Sequence, residues 1–314
     1  KKNVIAPYLF ISPWVIGFIV FTAGPLLMSL IMSFFDWSIT KPPVFSAFKN
    51  YITMFTQDKQ FYRSLFITLK YAVIFVPLNM CLALFLALLI SQPVAGVKFF
   101  RTVFYIPTVI SGVAVSIVWG WLLNADYGIF NYLLSLIGVS GPKWLLDPSW
   151  ALVAVVLASA FGVGTMMLIF YANIKTIPAD LYEAADLDGA GVARQFFSIT
   201  LPIITPTILF NLITSLITAF QQLTLVMLLT GGGPLNATYF YGLYVYRNAF
   251  KHHRLGYASA NAWVMFIIIL ILTMLVFKSS SAWVFYETEM KNRLTSPQRL
   301  NFKLVGDVEK VTNF

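Results

Sequence analysis

Hydrophobic residues along the chain fall into six long runs that contain no charged side chain. Each run can hold a helix of about 20 residues, the length that crosses the hydrocarbon core of a bilayer. The longest run is interrupted by Gly231-Gly232-Gly233-Pro234, and the part beyond this turn is too short for a second span. The pattern therefore predicts six transmembrane helices, over residues 8–35, 62–90, 104–123, 150–171, 201–230 and 257–277.

The composition agrees with a chain that lies mostly in lipid. Charged residues make up 11% of the sequence and hydrophobic residues 59%, whereas about 25% of the residues in a soluble domain are charged. The predicted fold class is an all-α polytopic membrane protein. It consists of a membrane domain, residues 1–289, and a cytoplasmic tail, residues 290–314, that is predicted to be partly disordered.

The net charge of +9 bears on orientation rather than on nucleic-acid binding. No basic cluster alternates with exposed aromatic residues, so nucleic acid is not an expected partner. Six spans place both termini on one side, and Lys and Arg are more frequent in the segments on that side, which agrees with cytoplasmic termini although much of the bias comes from the tail. The first apolar block lacks a cleavage site with small residues and is predicted to be a retained span rather than a signal peptide.

One polar, acid-containing interval lies between the fourth and fifth predicted spans. It reads Glu183-Ala184-Ala185-Asp186-Leu187-Asp188-Gly189-Ala190 and is followed, eight residues later, by Ile199-Thr200-Leu201-Pro202. Acidic side chains early in a helix are favoured by the helix dipole, and glycine commonly ends a helix in the left-handed conformation. The interval therefore predicts a short helix, a bend at Gly189 and a second helix within residues 176–200.

This pattern, EAAxxDGA followed by IxLP, resembles the signature loop of importer permeases of the ATP-binding-cassette (ABC) class. Within that class the chain is most similar to carbohydrate-uptake permeases related to the larger maltose-permease subunit. In this family the loop is a cytoplasmic coupling helix that fits a cleft on an ATPase subunit. The resemblance implies that Glu183, Ala184, Ala185, Asp188 and Gly189 couple the chain to an ATPase. The alternative is an amphipathic linker that lies on the membrane surface.

The resemblance covers about residues 5–289 and implies a larger assembly in the bacterial cytoplasmic (inner) membrane. Its other members are a second permease subunit, two ATPase subunits inside and a solute-binding protein outside. ATP and Mg are expected on the ATPase subunits, and no cofactor is expected on this chain. The sequence has no G-x-x-x-x-G-K-[ST] loop, no H-E-x-x-H and no Asp or Glu inside a predicted span. It therefore predicts a transport subunit rather than an enzyme, with no catalytic and no metal-binding residues.

The fifth predicted span is the most polar one, and it contains Gln221 and Gln222. Their amides offer hydrogen-bond donors and acceptors without charge, as sugar binding requires. The resemblance assigns substrate binding to Gln222 and also to Ser111, Phe161 and Gly162. The alternative is that the two glutamines hydrogen-bond between helices, as polar residues in membrane bundles often do.

The predicted function is that of a permease subunit translocating an oligosaccharide or a related polar solute, uronate oligosaccharides included. Many family members carry F-Q-x-F-D in the fifth span, whereas Phe220-Gln221 is followed here by Gln222-Leu223-Thr224, which leaves the substrate open. Arg63, Lys70 and Arg247 weakly favour an anionic solute, but each is equally well explained as an anchor at the membrane interface. A glycerol-phosphate-type importer permease is one alternative. The alternative from another class is an uncoupled six-span channel or scaffold.

Overall fold

The computed structural model describes residues 6–92 and 96–285, and most of them are helical. The predicted tail, 290–314, lies outside these residues. The helices of the first half are α1 (Ala6–Phe18), α2 (Gly24–Met32), α3 (Lys49–Thr56), α4 (Lys59–Ser91), α5 (Val97–Val109), α6 (Gly112–Leu122), α7 (Ile129–Leu136), α8 (Pro148–Ala160) and α9 (Gly164–Ile174). Those of the second half are α10 (Ala179–Leu187), α11 (Val192–Gln195), α12 (Leu201–Ile203), α13 (Thr205–Phe220), α14 (Thr224–Leu229), α15 (Tyr241–Tyr246) and α16 (Leu255–Ser280).

Three continuous helices among the described residues are long and apolar enough to cross a membrane. They are Tyr8–Met32, in which the π-helical turn Ile19–Ala23 joins α1 to α2, and Lys59–Ser91 and Leu255–Ser280. Three further pairs of helices reach that length only together, and each pair is sharply bent. The bends measure 103° between α5 and α6, 50° between α8 and α9, and 67° where the helix over Val192–Ile203 meets α13. The chain thus has up to six spans, three of them broken.

The breaks have local causes in the sequence. The predicted span 104–123 divides because Pro107 lies in the last turn of α5 and Ser111 starts a new helix, its side chain accepting a hydrogen bond from the Val113 amide. Pro206 lies in the first turn of α13, where its ring cannot continue the preceding helix. The predicted span 201–230 is interrupted a second time. Helix α13 ends at Phe220, and the short helix α14 begins after Gln221–Leu223.

Helix α4 is the centre of the bundle. Its buried face packs on α8, α9 and α13, and its aromatic residues join a large apolar cluster. In that cluster the Tyr71 ring stacks on Phe75 at 5.1 Å and lies 4.7 Å from the Phe240 ring. Phe240 and Tyr241 are fully buried, so the segment after the glycine turn is part of the core. The hydrophobic pattern did not predict this, because the segment is too short for a span.

A small antiparallel hairpin follows the first span. Strands β1 (Phe35–Ser38) and β2 (Lys41–Phe45) pair with Phe35 opposite Phe45. The Asn50 amide of α3 donates to the carbonyl oxygens of Ser33 and Phe35, at 2.9 Å each, and so ties α3 to the start of the hairpin. Gly256 of α16 lies against the Phe35 carbonyl, where a Cβ atom would collide with it. The hairpin therefore fixes the start of the last span.

Asp58 joins this end of the bundle through two tyrosines. Its carboxylate accepts hydrogen bonds from the hydroxyls of Tyr244 (2.6 Å) and Tyr257 (2.8 Å). It also accepts bonds from two backbone amides at the start of α4, which it caps. Burial acts to raise the pKa of Asp58, but the hydrogen bonds from the two tyrosines and the two amides outweigh it, so the pKa lies below its usual range.

We expect Asp58→Asn to destabilise the chain by about 1–2 kcal/mol at pH 7, because charged hydrogen bonds from two tyrosines become neutral ones. The lowered pKa of Asp58 means that this stabilisation is present above the unfolded-state pKa of about 3.9 and is lost as the pH falls through the folded-state pKa. The measurement is thermal unfolding in detergent at several pH values. Asp36→Asn, which breaks only the exposed ion pair with Lys49, is the control. Equal effects of the two variants at pH 7 would contradict the role of Asp58.

Candidate functional site

The predicted substrate residues all lie at helix breaks. Ser111 begins α6, Phe161 and Gly162 fill the gap between α8 and α9, and Gln221 and Gln222 follow the end of α13. A broken helix leaves backbone groups free, and such a break is stable at membrane depth where it is buried in protein or lines a water-filled cavity. The structure thus gives these five residues a common setting that the hydrophobic pattern did not reveal.

Side-chain contacts connect the three breaks. The Gln222 amide nitrogen lies 3.4 Å from the Ser159 hydroxyl at the end of α8. The Trp119 ring of α6 stands edge to face with the Phe161 ring at 5.9 Å. Helices α6 and α14 pack along their length, which brings the first turn of α6 next to Thr224. The three bent spans therefore meet around one region that includes Gln222 and Phe161.

The predicted substrate residues are more exposed to solvent than the residues that pack the helices around them. Ser111, Phe161, Gly162 and Gln221 are exposed in this chain, and Gln222 is half-buried. A Cβ atom at Gly162 would make only ordinary contact with the Ser159 carbonyl at 3.6 Å. At Gly164, two residues later, a Cβ atom would strike the backbone of α5. Of these two glycines, Gly164 permits close helix contact and Gly162 leaves free space.

Two of the three basic residues that weakly favoured an anionic substrate bind backbone carbonyls here. The Arg63 guanidinium donates to the Leu235 carbonyl, and Arg247 donates to the Gly231 carbonyl, both at 2.6 Å. The Arg247 guanidinium also lies over the Tyr239 ring, 5.0 Å from its centre. Both arginines thus hold the turn that follows α14. Lys70 is exposed on α4.

The acidic interval forms a helix, a left-handed glycine and a second helix. Glu183 and Ala184 are exposed on α10, and Ala185 is half-buried. Gly189 has a φ of +74°, and its amide donates to the Asp186 carbonyl at 3.0 Å. The Ala190 amide donates to the Ala185 carbonyl at 2.9 Å, a pattern typical of helices that end at a glycine. Asp188, like Gly189, is exposed beyond the end of α10.

Two side-chain bridges hold this loop in shape. The Gln195 amide nitrogen donates to the Asp186 carboxylate at 2.5 Å and to the Ala190 carbonyl at 3.0 Å. The Tyr182 hydroxyl lies 2.8 Å from the Thr200 hydroxyl. These bonds tie α10 to the helix after the bend. Tyr182, Gln195 and Thr200 were not predicted, since nothing in the motif's spacing marks them as hydrogen-bond partners within the loop.

The base of the loop is anchored while its tip is open. Ile177 and Ile204 are buried in an apolar cluster with Met167 and Phe170 of α9 and the C-terminal half of α4. At the tip, Leu187 is 91% exposed and Val192 is 82% exposed. The loop thus has a base packed against α4 and α9 and a tip that presents two uncovered apolar side chains.

Comparison with known proteins gives a family for this architecture. Residues 80–285 match the family described as "Binding-protein-dependent transport system inner membrane component". The chain is 41% identical over 293 residues to the probable ABC transporter permease protein YesP of Bacillus subtilis (strain 168), covering 92% of this chain and 94% of that protein. It is 32% identical over 276 residues to the trehalose/maltose transport system permease protein MalF of Thermococcus litoralis, covering 86% and 92% of the two proteins.

A solved structure shares the fold. It is a crystal structure of a bacterial alginate ABC transporter in complex with an alginate pentasaccharide-bound periplasmic protein. One of its chains matches this chain with a TM-score of 0.78 and 26% identity, covering 89% of this chain and 95% of that one. The likeness therefore extends over nearly the whole of both chains.

Proposed function

Because the chain belongs to the family of binding-protein-dependent transport system inner membrane components, we propose that it is the permease subunit that carries an oligosaccharide across the membrane in an ABC importer. The observation that carries this proposal is the meeting of three broken spans around Gln222 and Phe161. Backbone groups freed at helix breaks, an uncharged amide and an aromatic ring are suited to a neutral or weakly charged sugar. The relatives named for trehalose, maltose and alginate transport support the same substrate class.

The proposed energy source is a pair of ATPase subunits that bind the acidic loop. Residues 179–190 contain four acidic side chains, namely Asp180, Glu183, Asp186 and Asp188, and no basic one. An acidic tip with exposed Leu187 suits a cleft that combines basic and apolar residues. In this assembly Glu183, Ala184, Ala185, Asp188 and Gly189 contact the ATPase, which holds ATP and Mg. A second permease completes the pathway, and a solute-binding protein delivers the sugar from outside.

The test of the substrate site is Gln222→Ala in the reconstituted importer. With one hydrogen bond to the sugar lost, we expect uptake to fall about five- to tenfold. ATPase stimulation by the loaded binding protein should stay within twofold, because the acidic loop is unchanged. The control is Gln57→Ala, an exposed glutamine before α4. Unchanged uptake and sugar preference in Gln222→Ala would remove Gln222 from the site and leave it as a contact between helices.

We expect Lys98, Arg194 and the tail to face the cytoplasm, and Lys41, Lys143 and Lys251 to face outward. Single cysteines at these positions, in a Cys81→Ser background, should react with an impermeant thiol reagent added to whole cells only at positions 41, 143 and 251. Labelling of position 194 from outside would contradict both the orientation and the assignment of the acidic loop to an ATPase.

A further inference from the structure

The hydrogen bonds around Gln222 determine which of its amide atoms is free. Ser159 has one hydroxyl hydrogen, and it donates that hydrogen to the Val155 carbonyl at 2.8 Å, one turn back along α8. The Tyr71 hydroxyl of α4 donates to the Ser159 oxygen at 2.9 Å. The remaining lone pair of this oxygen faces the Gln222 amide at 3.4 Å. Since Ser159 has no further hydrogen to give, Gln222 can only donate to it, and must place its nitrogen there.

With its nitrogen directed to Ser159, Gln222 turns its other amide atom, Oε1, away from that contact. Among the described residues, Oε1 has no hydrogen-bond partner. The amide orientation follows from the partners of Ser159, which decide between nitrogen and oxygen where the two atoms have similar shape. Gln222 therefore offers a hydrogen-bond acceptor at the break of the fifth span.

Tyr71 is itself held firmly. Its side chain is fully buried, stacks on Phe75 with an angle of 7° between the rings, and lies against Phe240. A buried hydroxyl needs a partner, and the partner of this one is Ser159. The packing of α4 thus fixes the Tyr71 hydroxyl, which in turn fixes the accepting face of Ser159.

We propose that Tyr71 and Ser159 are positioning residues that make Gln222 present Oε1 to the substrate, so that this point of the pathway selects a sugar hydroxyl. A sugar hydroxyl can donate to Oε1 in a neutral sugar and in a uronate alike, whereas a carboxylate or phosphate group placed at this atom offers only acceptors. Arg63 and Arg247, which weakly favoured an anionic solute, donate instead to carbonyl oxygens of the turn after α14. The inference rests on the proposed function, because it requires that a sugar passes Gln222.

The experiment is a mutant cycle in the importer reconstituted with its partner permease, ATPases and binding protein. The probes are maltotriose and alginate trisaccharide, each at saturating loaded binding protein, and the readout is sugar accumulated per ATP hydrolysed. We expect Tyr71→Phe to lower this ratio about fivefold for the probe that the wild type accumulates, with stimulated ATPase activity within twofold. In a Gln222→Met background, Tyr71→Phe should produce no further decrease, because its effect passes through Gln222.

The control is Tyr241→Phe, which also removes a hydroxyl from a fully buried tyrosine but one that bonds to Asn261 of α16. This control should leave the ratio unchanged. If Tyr71→Phe leaves the ratio unchanged, or lowers it equally with and without Gln222, the positioning role is wrong although the sugar permease stands. Ser159→Ala leaves the buried Tyr71 hydroxyl without a partner and can fail to assemble for that reason. In that case the same ratio, sugar accumulated per ATP hydrolysed, is measured for the double variant Tyr71→Phe/Ser159→Ala. If the wild type accumulates neither sugar, the proposed function and this inference both fail.

Discussion

Gly189→Val is expected to lower sugar uptake at least tenfold while the permease still inserts and pairs with its partner. Gly189 has a φ of +74°, and a β-branched residue in this left-handed conformation costs about 1–2 kcal/mol or more. A Cβ atom there would meet open space in this chain. The added side chain therefore causes no collision within the chain, but it disfavours the left-handed bend. The loop tip then changes shape and no longer fits an ATPase cleft that is complementary to the wild-type tip.

Gly191→Val is the matched control for this prediction. Gly191 lies two residues away in the same loop, with open space around it, but its φ is −67°, which any residue adopts. The measurement is uptake together with co-purification of the ATPase subunits. Equal uptake by the two variants would show that the left-handed bend is not needed for coupling.

Gly164→Ala is expected to have a large effect on the stability of the chain. A Cβ atom at this position would collide with the Phe104 carbonyl oxygen and lie 2.8 Å from the Tyr105 Cα atom. Both are backbone atoms of α5, so the contact is relieved only if α5 and α9 separate. We expect a cost of about 3 kcal/mol, at the upper end for overpacking, and a clear loss of folded permease in detergent.

The matched control for Gly164→Ala is Gly162→Ala. It adds the same methyl group two residues earlier, at a position where the nearest atom is in ordinary contact. Thermal unfolding followed by size-exclusion chromatography should separate the two variants clearly. Similar melting temperatures would contradict the close packing of α5 on α9.

The sequence predicted the class of fold and the acidic loop because both depend on local features. Charge-free runs reveal spans wherever lipid demands apolar side chains. Gly189 could be recognised from its place after a short acidic helix, and the structure has a left-handed glycine there. The roles of this loop and of the five substrate residues remain predictions.

The breaks were not predicted because hydropathy does not mark them, and the bridges were not predicted because they depend on contacts between distant parts of the chain. The bend at Ser111 arises inside a run that is uniformly apolar, so hydropathy does not mark it. Nothing in the sequence pairs Asp58 with Tyr244 and Tyr257, from which it accepts hydrogen bonds although they lie almost 200 residues away. Tyr71 is an ordinary aromatic residue in the sequence, and only the packing of α4 on α8 places its hydroxyl against Ser159.

We expect this chain to move a sugar only when ATPase subunits act on its acidic loop. The most direct measurement is sugar accumulation in proteoliposomes that contain the complete importer and the loaded binding protein, with ATP and Mg or ADP and Mg enclosed. We expect accumulation against a gradient with ATP, and almost none with ADP or with the Gly189→Val variant. Equal sugar entry with ATP and with ADP would contradict it and would indicate an uncoupled channel.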